Sequence, residues 1–302
     1  MKVTKSIITG GAGFIGSNLT DHLVKIGHKV IILDNFVSGK KANLSHHKKK
    51  NVKIVKIDIA KSKNLEKYLF GADYVFHLAG LAEIIPSIKN PKKYFINNVV
   101  GTLNVVEAAK KVKVKKLVYA ASSSCYGTPK SFPTSEKDKI DLKHPYALTK
   151  FMGEELVMRY ASIFSMPNIS FRFFNVYGSR LNTSGQYSAV IGNFLLQTKN
   201  KKPLTIVGDG KQTRDFIHVD DLINAFIQVI KSKLVNKIYN LGSGKRTSIA
   251  SIAKIFGGEK KFIPFRLGEP KNSLANISKI KKDIGWRPKI SIEEGIKKLL
   301  SS

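Results

Sequence analysis

Tyr146 and Lys150 stand four residues apart in the run Tyr146-Ala147-Leu148-Thr149-Lys150. On a helix that spacing puts both side chains on one face. A phenol that titrates near about 10 is a poor base at neutral pH, but a neighbouring ammonium favours its ionised form. The pair is a candidate for taking a proton from a hydroxyl. A second candidate is Ser122-Ser123-Ser124, which follows the β-branched run Lys116-Leu117-Val118-Tyr119. Open parallel sheets bind ligands just beyond the carboxyl ends of their strands, so a hydroxyl there is placed to hydrogen-bond a reacting oxygen. Three serines in a row also fit a plain loop. The next residue, Cys125, has no neighbouring base in the sequence and reads as a packed small residue rather than a nucleophile.

A third group is Thr9-Gly10-Gly11-Ala12-Gly13-Phe14-Ile15-Gly16, between a strand pattern and a helix pattern. In that context Gly10 permits the tight turn, Gly13 lets a pyrophosphate approach the backbone, and Gly16 lets helix and strand pack closely. The helix N-terminus beyond it offers unpaired N–H groups and partial positive charge to phosphates. Asp34 ends the second strand pattern 18 residues after Gly16. There a carboxylate accepts hydrogen bonds from a ribose 2′-OH and repels a 2′-phosphate, which favours NAD over NADP; Asp34 also fits a simple loop cap. Asp58-Ile59, after the third strand pattern, is expected to border the adenine.

Positioning these groups takes a particular succession of elements. Short β-branched runs at 6–9, 29–33, 52–55, 74–77 and 116–119 alternate with helical patterns at 14–26, 64–70 and 94–112. That alternation means βαβ units and a parallel sheet. A helix is expected over 145–164 and a strand over 169–174. Past Asn175 the pattern loosens, with helices near 190–200, 219–231, 249–256, 278–284 and 291–300 and strands at 204–207 and 238–241. The expected fold is α/β: a doubly wound parallel sheet of the Rossmann type with a smaller α/β C-terminal lobe for substrate. The NAD-binding domain is expected over 1–176 plus about 216–241, and the lobe over about 177–215 plus 242–302.

With 302 residues, 42% of them hydrophobic, the chain can bury a large core. One cysteine excludes an internal disulfide and a thiolate metal cluster, and no metal is expected. No run approaches the roughly 20 apolar residues that span a bilayer, so a cytoplasmic protein without membrane insertion is expected. The net charge of +31 invites a nucleic-acid reading. Yet only seven of the 52 basic residues are arginine, the lysines are spread along the whole chain, and no nucleic-acid-binding motif is present. A solvated lysine-rich surface is the better reading, and no specific nucleic-acid partner is expected.

The glycine run, Asp34-Asn35-Phe36-Val37-Ser38-Gly39, His77-Leu78-Ala79-Gly80, Asn98-Val99-Val100-Gly101-Thr102, Ser122 to Gly127 and Pro145 to Lys150 together resemble the extended short-chain dehydrogenase/reductases. So do Arg172 to Gly178, Gln212 to Phe216, Tyr239 to Gly242 and Arg266-Leu267-Gly268-Glu269-Pro270. The resemblance spans nearly the whole chain and is closest to UDP-glucose 4-epimerase-like members of the NAD-dependent epimerase/dehydratase branch. It implies Ser122 as the catalytic hydroxyl, Tyr146 as the base, and Lys150 as the residue that holds the ribose and lowers the tyrosine pKa. It implies NAD contacts from Gly10, Gly13, Phe14, Ile15, Gly16, Asp34, Asn35, Ser38, Gly39, Asp58, Ile59, Leu78, Ala79, Gly80, Asn97, Tyr146, Lys150 and Phe173. It further implies that Asn175 touches a sugar diphosphate, that Arg214 and Arg266 neutralise it, and that Glu269 accepts from the nucleoside ribose. Ser123 and Ser124 would flank the sugar, and a homodimer through paired helices is implied as well.

Such enzymes oxidise C4 of a nucleotide-linked sugar, and the family divides by the fate of the 4-keto sugar. A 4,6-dehydratase has Asp and Glu directly after the catalytic hydroxyl residue, where this chain has Ser123 and Ser124. Serine cannot do a carboxylate's acid–base work at neutral pH, which favours epimerisation over dehydration. UDP-glucuronate 4-epimerase or decarboxylase activity stays open, with Glu83 either a sugar contact or a loop charge. Aligned on the family pattern, Ser273 stands at the wall of the sugar pocket, and a small residue there leaves room for an N-acetyl group. A catalytically inactive NAD-binding scaffold or sensor is the rival of a different class; the intact Ser122, Tyr146 and Lys150 argue against it.

Overall fold

The computed structural model describes residues 3–183, 190–264 and 271–301. Six strands open the chain: β1 (Lys5–Thr9), β2 (Lys29–Asp34), β3 (Val52–Lys56), β4 (Tyr74–His77), β5 (Lys116–Ser122) and β6 (Asn168–Phe173). With the strand Lys237–Leu241 they form one seven-stranded sheet, ordered Lys237–Leu241, β6, β5, β4, β1, β2, β3. Pairing is parallel from β3 through β2, β1 and β4 to β5. The order reverses direction at β1, the switch point of a doubly wound sheet. Central strands such as β1 and β5 are nearly all buried, as expected when helices cover both faces.

The chain divides into two compact units. The first holds residues 1–125, 142–172 and 225–239. Its core joins Ile7, Leu33, Val75, Leu117 and Tyr119 of the sheet to Val105, Val106 and Val157 of the helices Gly101–Lys111 and Pro145–Phe164. The expected helix over 94–112 is more elaborate: an α-helical turn Pro91–Phe95, a π turn Ile96–Val100, then the helix Gly101–Lys111. Asn90 caps it, its side chain accepting the Lys93 N–H.

The second unit holds residues 126–141, 173–224 and 240–302. The sequence reading kept 126–141 and 216–224 with the first domain. In the structure 126–141 is bound within the second unit: the Tyr126 hydroxyl donates to Asn240 Oδ1 at 2.7 Å, the Asn240 amide donates to the Thr134 carbonyl at 2.9 Å, and Thr134 bridges Ala275. Short strand pairs organise this unit, Asn175–Tyr177 with Phe216–His218, and the expected strand Leu204–Val207 with Lys260–Ile263, and all but Leu204–Val207 are missing from the sequence reading. Two- to four-residue strands carry too little alternation to be read from sequence. Phe194, Ile206, Phe216, Ile252 and Ile296 fill its core.

Candidate active site

β5 delivers Ser122 at its last position and runs straight into the turn Ser123–Tyr126. The helix Pro145–Phe164 starts with Pro at its first position and His144 as N-cap, whose Nδ1 accepts the Ala147 N–H at 3.1 Å. This start fixes Tyr146 in the first turn and Lys150 one turn on. Ser87 Oγ accepts the Tyr146 N–H at 3.1 Å, and the His144 ring lies parallel to the Tyr146 ring, 5.9 Å between centroids. The Ser122 hydroxyl lies near enough to the Tyr146 phenol to favour its ionised form. Ser122 Oγ also lies 2.8 Å from Ser124 Oγ and accepts the Ser124 N–H at 3.2 Å. Ser122, Tyr146 and Lys150 are therefore brought together within one unit.

The charges depart from the spacing argument. Burial pushes the Tyr146 phenol above its ordinary value, and the Ser122 hydroxyl opposes it. Burial pushes Lys150 down to about 7, with the Glu154 carboxylate partly restoring it. The same burial that raises the phenol lowers the lysine, which weakens the help that the sequence reading expected from its charge. Lys150 Nζ sits over the Tyr119 ring, 4.4 Å from its centroid. His77 is buried between Thr9 Oγ1 (2.7 Å) and Thr102 Oγ1 (2.9 Å), and burial, then Lys150, push it down to about 3. It is neutral and structural. Burial pushes the Cys125 thiol up to about 12, so it stays protonated.

The residues expected to hold NAD fit that molecule. Gly10 has φ +71°, and a Cβ there would come within 2.8 Å of the Ala79 backbone nitrogen. Gly13 caps the helix Phe14–Lys25 with no side-chain hydrogen bond and no acidic residue in the first turn, leaving the helix start suited to a pyrophosphate. Gly13, Phe14 and Ile15 keep part of their surface exposed, whereas Gly16 is buried, and a Cβ on Gly16 would strike the Gly10 carbonyl. Asp34 is buried, its two oxygens accepting the Ala12 N–H at 2.9 Å and the Phe36 N–H at 2.8 Å. An ionised carboxylate has about four lone-pair sites, so acceptor capacity remains for ribose hydroxyls. A Cβ on Gly39 would reach 2.9 Å from both Asp34 oxygens, so glycine lets the loop close over the carboxylate. Asn35 Oδ1 accepts the Val37 N–H, and Ser38 is exposed. When bound, NAD supplies a hydride acceptor and a positive charge.

Other expected NAD contacts lie in more occupied positions. Asp58 Oδ1 accepts the Ala60 N–H, and the Ile59 side chain packs in the core. Leu78 and Ala79 are partly exposed and Gly80 exposed, after β4. The Asn97 amide donates to Lys93 of its own helix at 2.8 Å. Phe173, at the end of β6, is partly buried.

Among the expected substrate residues, the second unit gathers Asn175, Arg214 and Ser273. The Asn175 amide donates to the Asp215 carbonyl at 3.0 Å and approaches Ser273 Oγ at 3.5 Å, and Ser273 Oγ accepts the Asp215 N–H at 3.3 Å. Arg214 donates to the carbonyls of Thr213 (3.0 Å) and Lys271 (3.4 Å). Arg266 and Glu269 lie outside the described residues. Glu83, in the first unit, precedes the helix Ile84–Lys89.

Three organising residues were given no role in the sequence reading, although Asn98 and Asp215 stand in motifs it quoted. Asn98, in the π turn, accepts the Leu81 N–H (2.8 Å) and donates to the Leu81 carbonyl (3.0 Å) and Thr149 Oγ1 (3.1 Å). It ties the loop after β4 to the helix that carries Tyr146. Glu154, one turn past Lys150, pairs with buried Arg172; its place at i+4 from Lys150 was the available signal. Asp215 accepts N–H groups of Ser243, Gly244 and Ala275 and the Ser243 hydroxyl.

The parallel sheet, glycine turn and Ser–Tyr–Lys cluster define a dinucleotide-dependent enzyme class. The chain belongs to the NAD dependent epimerase/dehydratase family, whose model matches residues 6–242, and NAD is its cofactor. It is 36% identical over 304 residues to a putative UDP-glucose 4-epimerase of Methanocaldococcus jannaschii, covering 98% of this chain and 97% of that one. The solved UDP-N-acetylglucosamine 4-epimerase from Methanobrevibacter ruminantium, in complex with UDP-N-acetylmuramic acid, matches with TM-score 0.94 and 33% identity over 100% of this chain and 98% of the other. A UDP-glucuronic acid 4-epimerase from Bacillus cereus, with UDP-glucuronic acid and NAD, matches with TM-score 0.90 and 31% identity over 99% and 98%. Among the described residues no helix is long and apolar enough to cross a membrane.

Proposed function

We propose that the chain is a UDP-sugar 4-epimerase acting on UDP-hexoses or UDP-N-acetylhexosamines. The observation that carries this reading is the placement of Tyr146 and Lys150 one turn apart on one helix, with Ser122 at the end of β5 and hydroxyls, not carboxylates, at 123 and 124. Tyr146 takes the proton of the sugar 4-hydroxyl as the C4 hydride leaves, and Ser122 steadies the oxygen. Rotation of the 4-keto sugar and return of hydride and proton on the other face complete a redox-neutral exchange. Asn175, with Arg214 and Arg266, holds the diphosphate; Glu269 takes the nucleoside ribose. The small Ser273 admits an N-acetyl group, in line with the N-acetylated ligand of the Methanobrevibacter relative.

The protein is proposed to work in the cytoplasm as a homodimer. Exposed apolar side chains on the paired helical segments 91–111 and 145–164 support this assembly: Phe95, Leu103, Leu148, Ile163 and Phe164. Exposed apolar clusters of this kind mark association surfaces.

The test is incubation with NAD and separate UDP-glucose, UDP-N-acetylglucosamine and UDP-glucuronate, with products identified by NMR. The expected result is 4-epimers of the first two, with the N-acetylated sugar turned over faster. Faster turnover of UDP-glucose removes the Ser273 argument. Carbon dioxide release from UDP-glucuronate, with no epimers, overturns the reading.

A further inference from the structure

Away from the dinucleotide and substrate residues, three side chains of metal-binding type meet on one face of the first unit. Asp21 lies in the third turn of the helix Phe14–Lys25, and His46 and His47 follow the turn Lys41–Leu44. His46 Nε2 lies 2.9 Å and His47 Nε2 2.7 Å from the same oxygen, Asp21 Oδ1. The two imidazoles lie against each other, 4.1 Å between centroids at 39°. His47 is nearly buried (9% side-chain exposure), Asp21 partly so (30%), and His46 half-exposed (49%).

Two imidazole Nε2–H groups can share one carboxylate oxygen, which has two lone pairs, but the same convergence also suits a cation. Both rings must carry the proton on Nε2, and protonating both on Nδ1 as well stacks two cations. With the protons on Nδ1 instead, two nitrogen lone pairs and a carboxylate point at a common centre. All three ligand atoms already lie within 4.8 Å of one another. Zn²⁺ takes imidazole nitrogen and carboxylate oxygen at about 2.0–2.2 Å in tetrahedral geometry, which sets ligand atoms roughly 3.3 Å apart. The present spacing needs an opening of roughly half an ångström at 2.7–2.9 Å, within reach of a half-exposed ring.

We propose that Asp21, His46 and His47 form a binding site for one zinc-class transition-metal ion, with the remaining position open to water. Imidazole and carboxylate together select Zn²⁺, Co²⁺ or Ni²⁺ over Mg²⁺ and Ca²⁺. The ion joins the helix that begins at the glycine turn to the segment 35–47. That segment already reaches back to the same turn: the Lys40 N–H and the Asn43 amide both donate to the Ala12 carbonyl, at 3.0 and 2.9 Å. The site is thus a clip on the loop that closes over Asp34.

The test is calorimetric titration of the NAD-bound protein with ZnCl₂, repeated on Asp21→Asn, His47→Ala and the double variant His46→Ala/His47→Ala, with circular dichroism verifying the fold of each. One Zn²⁺ per chain is expected. Each single variant should lose at least about 100-fold in affinity, since even outer-sphere partners are worth about 10–100-fold. The double variant should show no saturable binding. Asp21→Asn keeps an oxygen that accepts hydrogen bonds but loses the charge, so it separates ligation from hydrogen bonding. Co²⁺ added to the wild type should give a visible absorption band that the double variant lacks. Absence of stoichiometric uptake, or variants binding as wild type does, overturns the proposal and leaves a hydrogen-bonded cluster only.

Discussion

Replacing Glu154 by Gln removes one charge from the middle of the catalytic helix, and the geometry around that carboxylate sets the cost. The Glu154 and Arg172 side chains are 1% and 5% exposed. Arg172 meets the carboxylate by a fork, NH2 at 2.6 Å from one oxygen and Nε at 3.0 and 3.1 Å from the two, while the Ser170 hydroxyl donates at 2.8 Å. Glutamine leaves the guanidinium buried without its counter-charge. Breaking a buried pair from one side costs about 3–5 kcal/mol, enough to remove much of a stability that totals roughly 5–15 kcal/mol. Replacing both partners by methionine abolishes both charges and should cost far less than the single change. Glu154 also raises Lys150, so Glu154→Gln should lower the Lys150 midpoint from its value of about 7. The assays are urea unfolding of the three proteins and the pH titration of the Lys150 ε-carbon resonance. A single variant within about 1 kcal/mol of wild type, or an unmoved Lys150 midpoint, would refute the reasoning.

Other perturbations address the rest of the site. Tyr146→Phe should nearly abolish epimerisation while NAD stays bound, read by turnover and by cofactor retained through gel filtration; substantial residual turnover removes Tyr146 as the base. Lys150 titrates near 7 in the folded chain and near 10.4 when unfolded, so the unfolded state binds the extra proton between these values. Stability should therefore rise with pH across that window, and Lys150→Met should flatten the rise in urea midpoint. Gly39→Ala puts a methyl group 2.8 Å from the buried Ala12 Cβ and 2.9 Å from both Asp34 oxygens and should weaken NAD binding in calorimetry and lower the melting temperature.

The sheet was legible because every central strand is a short apolar run ended by polar or glycine residues, and because Gly10, Gly13 and Gly16 mark the first turn. The spacing of Tyr146 and Lys150 put both on one face of the helix expected over 145–164, and they stand one turn apart there. What sequence could not supply was electrostatics and long-range pairing. That Lys150 is lowered to about 7 follows from burial, opposed by a carboxylate whose own partner, Arg172, arrives 18 residues later on β6. That Asp215 is wrapped by Ser243, Gly244 and Ala275 depends on segments up to 60 residues away. The move of 126–141 into the second unit likewise rests on a bridge between Thr134 and Ala275 that no local pattern announces.

The π turn at Ile96–Val100 has a consequence for how one continuous helical segment performs two tasks. Inserting a single residue into an α-helix rotates everything downstream by about 100°, so the parts before and after the turn cannot share one apolar stripe. Residues after it send Val105 and Val106 into the core of the sheet, while Asn98, at the phase change, is swung sideways onto Leu81 and Thr149. Excising one residue from 96–100 would restore a regular spiral and keep the composition almost unchanged. It would also turn Asn98 away from the loop it fastens, so the irregularity, rather than any side chain beside it, is what keeps the segment in step with both neighbours.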